Sequence, residues 1–264
     1  MRKYLEVFRW SFKMQIVWRF DVAMTMLATM CKILAAWILW RAIFDQHEYI
    51  RGFSFQTMLS YYIIVSLLNS LDFSSQISGE VSYLIRDGGF SKHMVTPMNP
   101  FGFFSFMAAG ETAFHFAFSC LAAFLCSVLF NIRILFTANL LNAAAALILI
   151  LMGLFFMMCL HYLLGILTFK FLNIKALIFI TNNVTAFLTG ALVPLALLPS
   201  SIQNIMKLFP FYYVSYVPAM LLTGRLGEEA LPGMVILSLW VSGFILLIRF
   251  SYSRLRNGYE GVGI

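Results

Sequence analysis

The stretch Ile134–Leu167, ILFTANLLNAAAALILILMGLFFMMCLHYLLGIL, holds no Asp, Glu, Lys or Arg. A helix needs about 20 apolar residues to cross a bilayer, and this run is longer. The rest of the chain agrees. Of 264 residues, 61% are hydrophobic and 11% charged, with a mean hydropathy of +0.87. Soluble domains carry about 25% charged residues, so this composition excludes a soluble enzyme. It is also too apolar for disorder.

Working outward from Ile134–Leu167, only Asn131 to Arg133 precede it, which predicts a tight hairpin to a span over Phe101–Phe130. Further spans are expected over Phe20–Phe44, Phe53–Ile77, Ala176–Val193 and Met234–Phe250. The fold expected is therefore an all-α integral membrane protein with six transmembrane helices. It is a single transmembrane domain over 1–264, with an N-terminal helix at 1–19, the spans within 20–250 and a tail at 251–264. In the N-terminal segment, Arg2, Glu6, Arg9 and Lys13 share one helical face, and Tyr4, Leu5, Phe8 and Phe12 the other. Such an amphipathic helix is expected to lie flat among lipid headgroups. It has neither the apolar core nor the small-residue site of a cleavable leader. Five of the seven prolines (Pro194, Pro199, Pro210, Pro218 and Pro232) crowd together before the last span, beside Phe209, Phe211, Tyr212, Tyr213 and Tyr216. Proline interrupts helices and aromatic rings favour the membrane interface. Short broken helices dipping into the bilayer edge are expected there.

The net charge of +7 marks membrane sidedness; no basic stripe points to nucleic acid. Six spans put both termini on one side. That side holds Arg2, Lys3, Arg9, Lys13, Arg19, Arg86, Lys92, Lys170, Lys175, Arg249, Arg254 and Arg256. The other holds Arg41, Arg51, Arg133, Lys207 and Arg225. Basic residues favour the cytoplasm, so both termini are expected there, and the proline-rich region outside. Cys31, Cys120, Cys126 and Cys159 lie in apolar runs without C-x-x-C spacing and are expected to pack.

No phosphate-binding loop, metalloprotease motif or nucleophile elbow is present. His47, His93, His115 and His161 are scattered, so no metal site is expected. Polar groups at membrane depth carry more information, because burying them in lipid is costly. Lys32 lies about 18 Å into the first span and Glu111 about 15 Å into the third, at 1.5 Å per residue. Their similar depths suggest an ion pair. Glu111 and His115 are i, i+4 neighbours, and Asn69, Asp72 and Gln76 share a face. These groups are either a pathway or interhelical glue.

Between Ser78 and Pro100 the chain is too polar to span. Ser78-Gly79-Glu80 could open a short helix and Gly88-Gly89 end it. Its exposed Tyr83, Leu84 and Ile85 would suit docking on a soluble partner; the alternative is packing on its own membrane domain.

Three local patterns join this layout. One is Ile85-Arg86-Asp87-Gly88-Gly89-Phe90 leading to Val95-Thr96-Pro97-Met98-Asn99-Pro100. The second is Leu208-Phe209-Pro210-Phe211-Tyr212-Tyr213, and the third Arg256-Asn257-Gly258-Tyr259-Glu260-Gly261-Val262-Gly263. With these the chain resembles, over essentially its whole length, the permease subunits of type 2 ABC (ATP-binding cassette) exporters, in particular a bacterial six-span subgroup. The resemblance implies that residues 1–19 form an interface helix and that Gly79–Gly89 is a coupling helix docking on a cytosolic ATPase. Glu80, Tyr83, Leu84, Arg86 and Asp87 would be its contacts. It also implies a second permease subunit, the same chain or a related one, and an inner or plasma membrane location. ATP and Mg would bind the partner ATPase; no cofactor is expected on this chain. Lys32, Asn69, Asp72, Glu111 and His115 remain the pathway candidates, with Lys32 matching no family pattern. The rivals are an autonomous secondary transporter or channel using Lys32, Glu111 and Asp72, and an intramembrane enzyme. The first predicts an internal repeat, which the sequence does not show; the second predicts clustered His or acidic residues, which it also lacks.

Overall fold

In the computed structural model, residues 2–71, 74–171, 173–190 and 194–256 are described. The apolar run that opens the sequence forms α7 (Leu140–Ile166). It begins later than Ile134 because Asn139 caps it, its side chain accepting from Leu141 N at 3.0 Å. The residues before it run extended. Leu135 N donates to Ser60 Oγ (2.9 Å) and Thr137 N to the Leu222 carbonyl (2.7 Å). The expected tight hairpin is thus replaced by an extended strap. Backbone groups freed from helix at this depth need such internal partners.

α7 packs against α11 (Ala230–Leu255), α4 (Ser75–Arg86) and α10 (Val217–Leu222), while α6 (Pro100–Leu129) packs with α2 (Arg19–Phe44) and α3 (Phe55–Ser70). Among the described residues, four stretches are long and apolar enough to cross a membrane: Phe20–Phe44, Pro100–Leu129, Leu140–Phe169 and Gly227–Leu255. The span expected over Phe53–Ile77 is interrupted. α3 starts at a capping box between Ser54 and Thr57 and ends at Ser70, and α4 (Ser75–Arg86) follows after a break. α8 (Lys175–Leu188), in place of the expected fifth span, has 14 residues, about 21 Å.

α4 starts before the expected Ser78 and belongs to the bundle. Ile77, Val81 and Ile85 recur at i, i+4, i+8 and are buried with Ser78 and Ser82. Gly165 of α7 makes room for them: a Cβ there would lie 2.8 Å from Val81 Cβ and 3.4 Å from Ser78 Cα. The helix does end where expected, with Gly88 at φ +77°. A short α5 (Ser91–Val95), which the sequence reading did not foresee, follows before Asn99 caps α6.

α1 (Arg2–Met14) forms at the N-terminus, as expected. It runs beside the first half of α6 in the same direction, with Tyr4 over Gly102 and Gln15 beside His115. Ser11 Oγ donates to the Met107 carbonyl at 2.8 Å. A Cβ at Gly110 would lie 2.5 Å from the Phe8 carbonyl oxygen, so only glycine admits this approach. α2 then continues along the second half of α6: His115 Nε2 lies 4.0 Å from Asp21 Oδ2, and the rings of Trp37 and Phe130 are 6.0 Å apart. Backbone-to-backbone packing thus aligns α1 with the first half of α6.

The proline-rich region is broken as expected: α9 (Ser200–Met206), one π-helical turn at Tyr212–Tyr216, and α10 (Val217–Leu222). Pro218 has no N–H to return to Val214, which favours the widened turn before it. The turn and the first five residues of α10 are buried, packed on α7 and α11. A Cβ at Gly153 would come within 3.1 Å of Val214 Cα, and one at Gly233 within 2.5 Å of the Tyr213 ring.

Candidate transport cavity and docking end

Between α2, α3, α7 and α8, the π-turn closes one side of a cavity of about 690 Å³. Each wall follows from helical spacing. α3 supplies Tyr62, Ser66 and Asn69; α8 supplies Asn182, Thr185 and Thr189 at i, i+3, i+7. α2 supplies Lys32, Ala36 and Leu39, and α7 supplies Met157 and His161. His161 Nδ1 is hydrogen bonded to Ser78 Oγ of α4 at 3.3 Å, which links the cavity wall to the helix beside it. Val214 and Ser215 of the π-turn complete the lining.

Two of the residues singled out in the sequence, Lys32 and Asn69, therefore meet at one site. Glu111 and His115 do not join them. Because Asp21 is level with His115 and Trp37 with Phe130, Lys32 is level with α6 residues near Cys126, with which its neighbour Ile33 shares a core cluster. Glu111 lies about fifteen residues lower, about 22 Å along the axis. The suggested Lys32–Glu111 pair is corrected by this register, and among the described residues no such pair is formed. Glu111 instead lies within electrostatic reach of Glu80 on α4. His115 Nε2 is 3.3 Å from Gln15 Oε1, so it ties α6 to the end of α1. Asp72 lies outside the described residues.

The α8 face was missed in the sequence. Asn182, Thr185 and Thr189 recur at helical spacing and could have been found by the rule that picked out Asn69 and Asp72. The contribution of the π-turn could not, since it depends on a chain reversal.

The candidate docking residues are on α4 and its cap. Tyr83 is 55% exposed; Glu80 and Asp87 are exposed, and Leu84 and Arg86 half-buried. Beyond them α5 projects Ser91, Lys92 and Val95, the last 85% exposed. Phe90, fully buried, anchors α5: its ring lies 5.3 Å from that of Phe169, 6.3 Å from Phe104 and 6.5 Å from Tyr252. The His93 ring lies tilted 4.8 Å from that of Phe103 and 5.0 Å from that of Phe104. Burial among these rings lowers its pKa, and the neighbouring Lys92 adds to the effect. At the opposite end, Arg51 donates to the Leu198 carbonyl (2.8 Å), Arg225 to the Gly52 carbonyl (2.6 Å), and Lys207 pairs with Glu229. Arg51, Lys207 and Arg225 thus gather at the end opposite α5.

An apolar helical bundle with a polar-lined cavity and an anchored, exposed helix at one end has the build of a multi-pass membrane transport protein. The family described as ABC-2 family transporter protein matches residues 30–260, most of the chain, and this protein belongs to it. It is a permease subunit of an ABC transporter. No curated protein matches the chain.

Proposed function

We propose that this chain is the membrane half of an ATP-driven exporter, working as a dimer of permease subunits, each coupled to a cytosolic ATPase. The observation that carries the reading, beyond family membership, is the α4–α5 end. α5 presents Ser91, Lys92 and Val95 outward, while Phe90 ties it to α6, α11 and the turn after α7. A push on α5 is therefore delivered to two helices and the turn after α7 at once. ATPase closure would tilt them as rigid bodies and change access to the cavity. Glu80, Tyr83, Leu84, Arg86 and Asp87 flank this apex, so the docking surface extends from α4 onto α5. ATP and Mg belong to the partner.

In this reading the chain is one transmembrane domain with six crossings. α3 and α4 together make the second, and α8 with the residues after it the fifth. Both termini and α5 face the cytoplasm of a bacterial inner membrane, and α10 leads to the outer end from the π-turn, which is set deeper, against Gly153 of α7. Lys32 and Asn69 line the pathway. An autonomous transporter using Lys32, Glu111 and Asp72 has less support, since about 22 Å separates the first two along the bundle axis.

The test is co-purification of the tagged chain from its native membrane, with ATPase activity measured on the complex. Wild type should retain an ATPase, and a Tyr83→Ala/Val95→Asp double variant should lose it while staying folded. If no ATPase accompanies the wild-type chain, the reading fails.

A further inference from the structure

The cavity has one lysine, beside His161, and no carboxylate among its described lining residues. Lys32 lies halfway along α2, within a stretch long and apolar enough to cross a membrane, where an ammonium group is costly to leave among lipid chains. It forms no ion pair with any described residue. Nearby, Thr185 is 7% exposed and lines the cavity, yet its hydroxyl has no hydrogen-bond partner among the described residues. A buried hydroxyl without a partner is uncommon, and this one belongs to a residue of the cavity wall. Asn69 and Asn182 add neutral donors and acceptors, while Leu39 and Met157 supply apolar walls.

We propose that the cavity binds a single-chain amphiphile with an anionic head, the head at Lys32 and Thr185 and the chain along the apolar wall. The cation supplies charge recognition and the hydroxyl and amides supply hydrogen bonds, which charge strengthens. A volume of about 690 Å³ is in the range that encloses a drug-sized molecule, which favours one chain over a two-chain lipid held wholly inside. This names a substrate class for the cavity and rests on the permease reading above.

The experiment measures binding of fluorescent dodecyl phosphate to the full chain in phosphatidylcholine nanodiscs, with dodecylphosphocholine and dodecyltrimethylammonium as competitors. Dodecyl phosphate should compete at least about tenfold better than either. Lys32→Met should remove that preference, Lys32→Arg should keep most of it, and Thr185→Val should weaken dodecyl phosphate about threefold. The wild-type headgroup series decides the matter even if a variant misfolds. Equal competition by the three headgroups overturns the proposal, and so does an undiminished preference in a folded Lys32→Met. It is also overturned if Lys32→Asp and Asp72→Lys each fail to fold while the double swap is restored, since Lys32 would then have its partner inside the chain. Binding is read without an ATPase. Loss of headgroup preference with an ATPase still co-purifying therefore sinks the substrate class alone, whereas loss of the ATPase sinks the permease reading.

Discussion

Along α6, the seam with α1 has no space for one methyl group at Gly110, whereas around α8 a cavity of about 690 Å³ stays open. α1 presses Ser11 against α6 and directs Arg2, Glu6, Arg9 and Lys13 outward. α8 buries only Thr185 and leaves Phe179 70% exposed. Close-packed interfaces move as units, because any displacement costs many contacts together. Sparse ones can shift and open. The contrast divides the bundle into a frame of α1, α2 and α6 and a loosely held wall at α8, with the cavity between them.

Filling the seam should have the largest effect. Gly110→Leu would force α1 off α6, and overpacking of this kind costs about 1–3 kcal/mol or more. The expected outcome is a lower melting temperature, and new cleavage between residues 14 and 19 in limited proteolysis; an unchanged melting curve would mean the seam is not a frame. Gly165→Val, where Val81 of α4 presses on α7, should also destabilise by about 1–3 kcal/mol. Here added loss of ATPase co-purification would show that α4 must be seated for docking.

At the loose wall, Phe179→Ala should change stability by less than about 0.5 kcal/mol. A drop as large as that of Gly110→Leu would break the comparison. The smallest effect is one of pH. Since His93 has a lowered pKa in the fold, the unfolded chain binds more protons below about pH 6.5. Stability present above that pH is therefore lost as pH falls. Wild type should lose about 1–2 °C more than His93→Phe between pH 7.5 and 5.5; equal losses would show that the ring cluster does not hold the neutral imidazole.

Much of the frame is readable from composition. The boundary Phe20–Phe44 is the same in sequence and structure, because a long, mostly apolar run has one way to satisfy its backbone in lipid. The break between α3 and α4 and the strap before α7 are less legible. They rely on distant partners such as Ser60 and Leu222, which local patterns do not reveal. The site divides in the same way. Lys32 and Asn69 stand out as polar groups in apolar runs, yet pairing Lys32 with Glu111 assumed that α2 and α6 start level. They do not: α6 begins fifteen residues before the point where Asp21 of α2 meets it, at His115. Axial offset between helices comes from packing at Gly102 and Gly110 and leaves no mark on hydropathy.

The α1–α6 seam also bears on how the protein is made. Ser11 and its acceptor Met107 are 96 residues apart in sequence. At about 5–20 residues per second, α1 leaves the ribosome about 5–20 s before its partner exists. During that interval Trp10 and Met14, both exposed on α1 even in the finished fold, have only lipid or the insertion machinery to rest on. α1 is thus locked in place only once α6 has been made, and shortening the interval by placing α6 earlier in a permuted chain should speed its protection.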